Sequence, residues 1–259
     1  MGEAILLGKG PAKKPKLYAI AYLDLLGTTA KINSKHDFVH LNELYRIYDL
    51  AVQLSENERI SNSRYKEIKT KIFSDNIVIA MPLRSTPKNR VEDILCLLDF
   101  VSLFQNNAVI HHSWLIRGGI TIGELFMDKL MIWGKGLIRA YKLESELAFY
   151  PRIILDQTIV DAIDVVDNTY VSKDSDGFWF LNFLNYNMKV EYHYDFFKEM
   201  KNSYARMLME MKGKDGIYPD KPFQKVQWYR NYANNWYRGF SNNVDDLLSD
   251  TQADLLQIS

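Results

Sequence analysis

Cysteine is nearly absent. Cys96 is the only one, so no internal disulfide can form and a reducing compartment is expected. Cys96 lies in the apolar stretch Ile94–Leu98 and reads as a small buried hydrophobe. An excess of either charge is lacking too: 32 Lys and Arg balance 32 Asp and Glu. Without a basic surplus, the chain is a poor candidate for binding nucleic acid through phosphate contacts, while a small local anion site stays open. The apolar run Leu17–Leu26 is interrupted by Asp24 and too short to span a bilayer. No signal-peptide pattern opens the sequence, so the expectation is a cytoplasmic protein without a membrane partner. The five histidines show no metal-ligand spacing; His111 and His112 are adjacent, and on a strand neighbours face opposite ways. There is no Gly-x-Ser-x-Gly elbow, Walker-type loop, Gly-x-Gly-x-x-Gly or internal repeat.

What is present is an alternation of strand and helix patterns. Residues 1–16 carry Gly8, Gly10, Pro11 and Pro15 among four lysines and read as a flexible basic tail. Leu17–Leu25 reads as a buried strand ending in the turn Gly27-Thr28-Thr29. Phe38–Leu54 reads as a helix, capped by Asp37, with Leu41, Leu44, Tyr45, Tyr48 and Val52 on its apolar side. Ile68–Phe73 and Asn76–Met81 read as strands joined by a tight turn at Ser74-Asp75. Pro82 and Pro87 bracket a loop, and Val91–Gln105 is the next helix. Leu115–Ile122 is a strand, with Gly123–Met127 turning into a hairpin. Gly134–Phe149 is a helix and Arg152–Leu155 a short strand. The order β-α-β-β-α-β implies an α+β fold, a ferredoxin-like sheet with helices on one face.

Further on, Phe178–Phe183 reads as a strand and Asp195–Lys212 as a helix. Lys225–Phe240 carries Trp228, Tyr229, Tyr232, Trp236, Tyr237 and Phe240 at helical spacing. Such a stripe can stack bases, but packing on a core or partner is the commoner use. Residues 241–259 read as an acidic tail. The division expected is a tail over 1–16, a catalytic domain over 17–190 and a helical extension with its tail over 191–259.

Two carboxylates carry the chemistry. Asp24 interrupts an apolar strand, which is costly unless the charge is paired or binds a cation. Asp75 sits in a turn, where aspartate has ordinary reasons to be. If strand and hairpin lie side by side, both carboxylates reach one edge of the sheet. There they repel and favour a divalent metal such as Mg²⁺ or Mn²⁺, with Gly27-Thr28-Thr29 offering backbone N–H groups to a polyphosphate.

Four segments resemble the class III adenylyl and guanylyl cyclases. Ala21-Tyr22-Leu23-Asp24-Leu25-Leu26-Gly27-Thr28-Thr29 is similar to the family's first metal motif, and Lys69–Asn76 to its second. Arg117-Gly118-Gly119-Ile120-Thr121-Ile122-Gly123 looks like the next strand and its glycine turn. Ile132-Trp133-Gly134 with Ala140-Tyr141-Lys142-Leu143-Glu144 looks like the Trp-Gly and helix segment. The resemblance covers roughly Leu17–Leu155 and implies a class III cyclase core of βαββαβ form with a mainly helical C-terminal extension. It implies Asp24, Asp75 and the Leu25 carbonyl as ligands of two Mn²⁺ or Mg²⁺ ions. It puts Lys71 where adenylyl cyclases read the base, and Met131 where its partner aspartate stands. Ile138 falls on the transition-state asparagine and Lys142 on the transition-state arginine. Lys keeps that charge without the bidentate fork, and Met131 cannot hydrogen-bond a purine amino group well. For Arg117, contact with substrate phosphates and a structural ion pair both stand open.

Within the family the pattern resembles the bacterial pyrimidine cyclases of the antiphage Pycsar system. The activity implied is conversion of UTP to cyclic UMP and pyrophosphate, in a homodimer with sites at the interface, the product acting on a separate effector. Cyclic CMP from CTP, a purine cyclase with an unusual pocket, and an inactive cyclase-fold nucleotide sensor remain as alternatives.

Overall fold

The computed structural model describes residues 14–56, 63–163, 170–185, 193–213, 216–239 and 247–249. The tail expected over 1–16 and the acidic tail expected over 241–259 fall mostly outside them.

β1 (Lys16–Leu25) is the centre of the fold, because its alternation puts apolar side chains on both faces. It leads through a short helix α1 (Thr28–Ile32) into α2 (Asp37–Glu56). The hairpin β2 (Lys69–Phe73) and β3 (Asn76–Pro82) follows, then α3 (Pro87–Asn106) and β4 (Ile116–Met127). β5 (Ile132–Trp133) folds back on β4, and α4 (Lys135–Lys142) precedes β6 (Ile153–Leu155). α5 (Gln157–Ile163), β7 (Val171–Lys173), β8 (Trp179–Leu181), α6 (His193–Met211) and α7 (Asp220–Arg238) complete the described chain.

The sheet order is β2-β3-β1-β4-β6-β8-β7, with β5 beside β4. β1 is antiparallel to both β3 and β4, and β2 to β3. The four core strands therefore run β2-β3-β1-β4, the split β-α-β arrangement expected for a ferredoxin-like α+β fold. Helices α6 and α7 form the expected C-terminal extension.

Helices cover both faces, not one. α2 and α3 pack with Ala19, Ala21, Leu23 and Leu25. α4 packs on the opposite face with Tyr18, Ile20, Val78 and Ala80. Glycine makes this second layer possible: a Cβ on Gly123 would lie 2.6 Å from the Gly136 Cα, so the backbones of β4 and α4 meet directly. Gly123 is thus a close-approach residue inside a continuous strand, not the start of a hairpin; the chain reverses after Met127 instead.

Two helix readings also shift. Pro87 is the first residue of α3, with the Thr86 hydroxyl accepting the Asn89 N–H, so proline starts the helix instead of closing a loop. On α2 the packed side is Leu44, Ile47, Tyr48 and Ala51, while Leu41 and Tyr45 are exposed. Pro87–His111 is one helix long and apolar enough by composition to cross a membrane, and most of it is buried inside the fold.

α6 and α7 build a second core with Phe183, Leu184, Val109, Ile110 and Leu115. The aromatic stripe of α7 is spent there. Trp228 stacks on Tyr150, donates to Asp174 at 2.9 Å, and lies beside Tyr232, whose hydroxyl donates to Asn182 at 2.6 Å. Phe240 lies outside the described residues.

Candidate active site at the end of the central strand

Register brings the chemistry together. Asp24 pairs across the sheet with Asn76 on β3 and with Arg117 on β4. The next backbone N–H, of Leu25, donates to the Asp75 carbonyl at 3.0 Å. The end of β1 is therefore tied to the β2–β3 turn, and Asp24 and Asp75 share one edge. Ser74 forms that turn in the left-handed region (φ 57). Gly27 ends β1 in the same region (φ 88), so the chain swings off the sheet into α1. The buried Thr28 hydroxyl donates to the Leu25 carbonyl at 2.8 Å, and Thr29 is exposed.

Arg117 lies between two acids. Its Nε–H donates to Asp24 Oδ2 at 2.8 Å. Glu144 Oε1 lies 2.7 Å from the same nitrogen, yet that atom makes no hydrogen bond. The single Nε–H is aimed at Asp24, so the Glu144 contact is Coulombic only. Glu144 is buried in the π turn Leu143–Leu147 that continues α4.

The titration of these groups follows from burial. Burial pushes the Asp24 carboxyl above its ordinary range; the Arg117 hydrogen bond opposes this, and the Asp75 charge adds to the rise. Burial also raises Glu144, against Arg117 and with Asp24. Lys225, from the start of α7, is pushed down by burial and by Arg117, while Asp24 and Glu144 pull it up. Tyr22 is raised by burial, then by Glu144 and Asp24.

Lys71 and Met131 are brought together, on the sheet face that carries Asp24. Lys71 pairs with Val78, which pairs with Tyr22, two residues before Asp24. Its Nζ donates to the carbonyls of Asp128 (3.0 Å) and Lys129 (2.6 Å). Met131 closes the same turn, its N–H donating to Asp128 Oδ1 at 2.9 Å, with its side chain 45% exposed. Lys142 stands exposed at the last position of α4.

Sequence reading gave no role to Glu144, Tyr22 or Lys225. Glu144 had little signal, since Ser145 and Glu146 stand beside it in the same turn. Lys225 had none, because nothing local to α7 sets it apart from the other lysines.

The donor set suits a divalent cation. Burial and the Asp75 charge both disfavour the Asp24 carboxylate, and a cation between the two acids would reverse both effects. Among the described residues no group of three or more His, Cys, Asp or Glu could hold a metal, which leaves a two-carboxylate site that takes its remaining ligands from substrate or water.

No described family and no curated protein matches the chain. Solved structures do. The guanylyl cyclase domain of the RhoGC fusion protein from the aquatic fungus Blastocladiella emersonii is 14% identical, with a TM-score of 0.44, over 66% of this chain and 97% of that one. A class III adenylyl cyclase-like ATP-binding protein from Pseudomonas aeruginosa is 15% identical, with a TM-score of 0.47, over 72% of this chain and 43% of that one. An adenylate/guanylate cyclase/hydrolase from Silicibacter pomeroyi is 15% identical, with a TM-score of 0.41, over 66% of this chain and 98% of that one. Likeness at this level says nothing of what this chain acts on.

Proposed function

We propose that the chain is a metal-dependent nucleotide cyclase that closes a nucleoside triphosphate into a 3′,5′-cyclic mononucleotide with release of pyrophosphate. The observation that carries the reading is the pairing of Asp24 with Asp75 at one strand edge through the Leu25–Asp75 backbone hydrogen bond. Asp24, Asp75 and the Leu25 carbonyl would hold two Mn²⁺ or Mg²⁺ ions. Bound there, the ions would supply charge neutralisation and activation of the attacking oxygen.

The chain's own residues do the rest by positioning and charge. Arg117 binds substrate phosphates once they draw it from Asp24 and Glu144. Lys142, exposed and unbranched, steadies the charge that develops as the ribose 3′-oxygen attacks the α-phosphorus. Gly27, Thr28 and Thr29 line the turn beside the phosphates. Lys71 and Met131 face the base. With methionine in place of a hydrogen-bonding acid, the pocket lacks a reader for a purine amino group, which counts against a purine; the order UTP first, CTP second rests on the overall resemblance to the pyrimidine cyclases. The physiological setting this fits is cytoplasmic second-messenger signalling in antiphage defence, with cyclic UMP acting on a separate effector.

Apolar side chains left in water support a homodimer. Trp133 (63% exposed), Ile138 (58%), Leu130 and Phe73 come from the two hairpins and α4, which share the site's face. The second reading, an inactive nucleotide sensor, is favoured by Ile138 and Lys142 standing at the two transition-state positions.

The test is turnover of each of ATP, GTP, CTP and UTP with Mn²⁺, products being separated by chromatography. Cyclic UMP or cyclic CMP is the expected product. A purine product overturns the pyrimidine assignment, and silence from folded dimer with all four overturns the cyclase.

A further inference from the structure

We propose that Glu210, carried by the C-terminal extension, is a positioning residue of the active site: through Lys31 it fixes α1, and with α1 the Gly27-Thr28-Thr29 turn. The proposal rests on the triphosphate reading above, which puts substrate phosphates beside that turn. The turn needs an outside anchor. A five-residue helix does not hold itself in water, and in α1 Thr29, Ala30 and Ile32 are exposed. Thr28 is buried, with its hydroxyl on the Leu25 carbonyl. Lys31 is the second enclosed side chain, only 12% exposed. Its backbone N–H donates to the Gly27 carbonyl at 3.1 Å, so a shift of Lys31 passes directly to the first residue of the turn. Its ammonium lies 4.8 Å from the centre of the Trp114 ring and 2.5 Å from Glu210 Oε2.

Glu210 is itself placed by α6. Ser203, Arg206, Met207 and Glu210 recur at i, i+3, i+4 and i+7, one stripe of that helix. Along the stripe the Ser203 hydroxyl donates to the Val109 carbonyl, and Arg206 donates to the carbonyls of Ile110 (3.4 Å) and His111 (3.2 Å). Met207 is buried in the core that holds Leu115 and against which Leu26 packs. Leu26 in turn donates its N–H to the Leu115 carbonyl at 2.8 Å. The stripe thus follows the chain towards β4 and across to the end of β1, and Glu210 is its last grip. An enclosed ammonium that loses its carboxylate turns to water. Trp114 is fixed by its own hydrogen bond to Glu43 at 3.3 Å, so the short helix is the part that moves, and the turn moves with it. Glu210 acts on the site in this way without touching substrate.

The test compares wild type, Glu210→Gln, Lys31→Met and the double variant, each as the full chain. Glutamine keeps the shape of Glu210, and methionine keeps the packing of Lys31 on Trp114. Two quantities are read: amide hydrogen exchange over residues 26–34, and calorimetric binding of inorganic tripolyphosphate in Mn²⁺. Each single variant should speed that exchange about fivefold, the upper end for an ion pair partly in water, and weaken tripolyphosphate by a similar factor. Exchange in β1 and the melting temperature should not change. The double variant should match the singles, because the pair acts as one unit, and Lys31→Arg should stay near wild type. Exchange over 26–34 equal to wild type overturns the proposal, as does tripolyphosphate binding that is unaltered or absent from wild type. Tighter binding by Glu210→Gln would make Lys31 a phosphate ligand that Glu210 withholds, and also overturns it. So does a uniform rise in exchange with a lower melting temperature, the mark of a general staple. Should Lys31→Met not fold, Lys31→Gln gives the same comparison. Turnover separates the two claims. Exchange and tripolyphosphate binding that depend on Glu210, without turnover of any triphosphate, leave this proposal standing and remove the cyclase. Turnover with a KM indifferent to Glu210 does the reverse.

Discussion

Three buried charge clusters in this molecule are built from carboxylates and cations, and one behaves oppositely to the other two. Beside α4, Asp156 is buried and accepts from Arg139, from the Thr121 hydroxyl at 2.9 Å and from the Thr158 N–H at 3.1 Å. Burial alone would raise its pKa, but these hydrogen bonds more than offset it and the carboxyl sits below its ordinary range. Near α7, the buried Arg152 is gripped by Asp174 and Asp176, and its hydrogen bond lowers Asp176. At the end of β1, by contrast, Asp24 and Glu144 are raised and Lys225 is lowered, with burial the largest cause each time. The first two clusters are satisfied by the fold. The third has been desolvated without enough hydrogen bonds, the condition of a site that waits for a ligand.

The contrast has consequences for mutation. Asp75→Ala should reduce turnover by about a thousandfold or more, on the scale of losing a principal electrostatic element of a site, while the melting temperature stays put. A normal rate would remove Asp75 from the chemistry. Arg139→Ala should do the converse. It leaves Asp156 buried with only its Thr121 and Thr158 hydrogen bonds, a loss of about 1 kcal/mol once the exposure of Arg139 is allowed for, read by urea denaturation, with turnover per folded molecule retained. If both substitutions lowered stability equally, the two clusters would not differ in kind.

The signs of the pKa shifts set a pH test of the same contrast. Asp156 and Asp176 are lowered, so their stabilisation is present above the ordinary carboxylate pKa and is lost as pH falls through their depressed values. Asp24 and Glu144 are raised, so their contribution is full below the ordinary value and is lost as pH rises through their folded pKa. Glu144→Gln, a mimic of the protonated acid, should therefore raise the melting temperature relative to wild type at pH 8 and not at pH 4. Equal offsets at both pH values would show that Glu144 is not strained. The smallest effect is expected from Lys71→Ala, a few-fold change in KM or in base preference; kinetics unchanged with all four triphosphates would put Lys71 outside the pocket.

The core strands were legible because each is specified locally, by alternation or an apolar run between turn residues. Asp24 stood out for the same reason, as a charge inside such a run. α5 and the three-residue strand β7 left no usable period. The second helical layer was illegible for a different reason: the meeting of Gly123 with Gly136 is a contact between elements, and neither glycine shows it alone. On α2 the packed side adds Ile47 and Ala51 to the expected Leu44 and Tyr48, while Leu41 and Tyr45 of the expected set face outward. Arg117 could be noticed in sequence, but its place between Asp24 and Glu144 depends on the β1–β4 register and on the π turn after α4. The Lys31–Glu210 pair depends on the docking of the whole extension.

The most direct test of the two-carboxylate site is Mn²⁺ binding followed by electron paramagnetic resonance, with wild type, Asp24→Asn and Asp75→Asn compared in the presence of UTP. Asparagine keeps the shape of each side chain and removes its charge. The expected result is Mn²⁺ bound by wild type and weakened at least about tenfold in each variant, with both variants folded. Variants that hold Mn²⁺ as tightly as wild type would show that Asp24 and Asp75 are not the metal's ligands, and the proposed chemistry would lose its foundation.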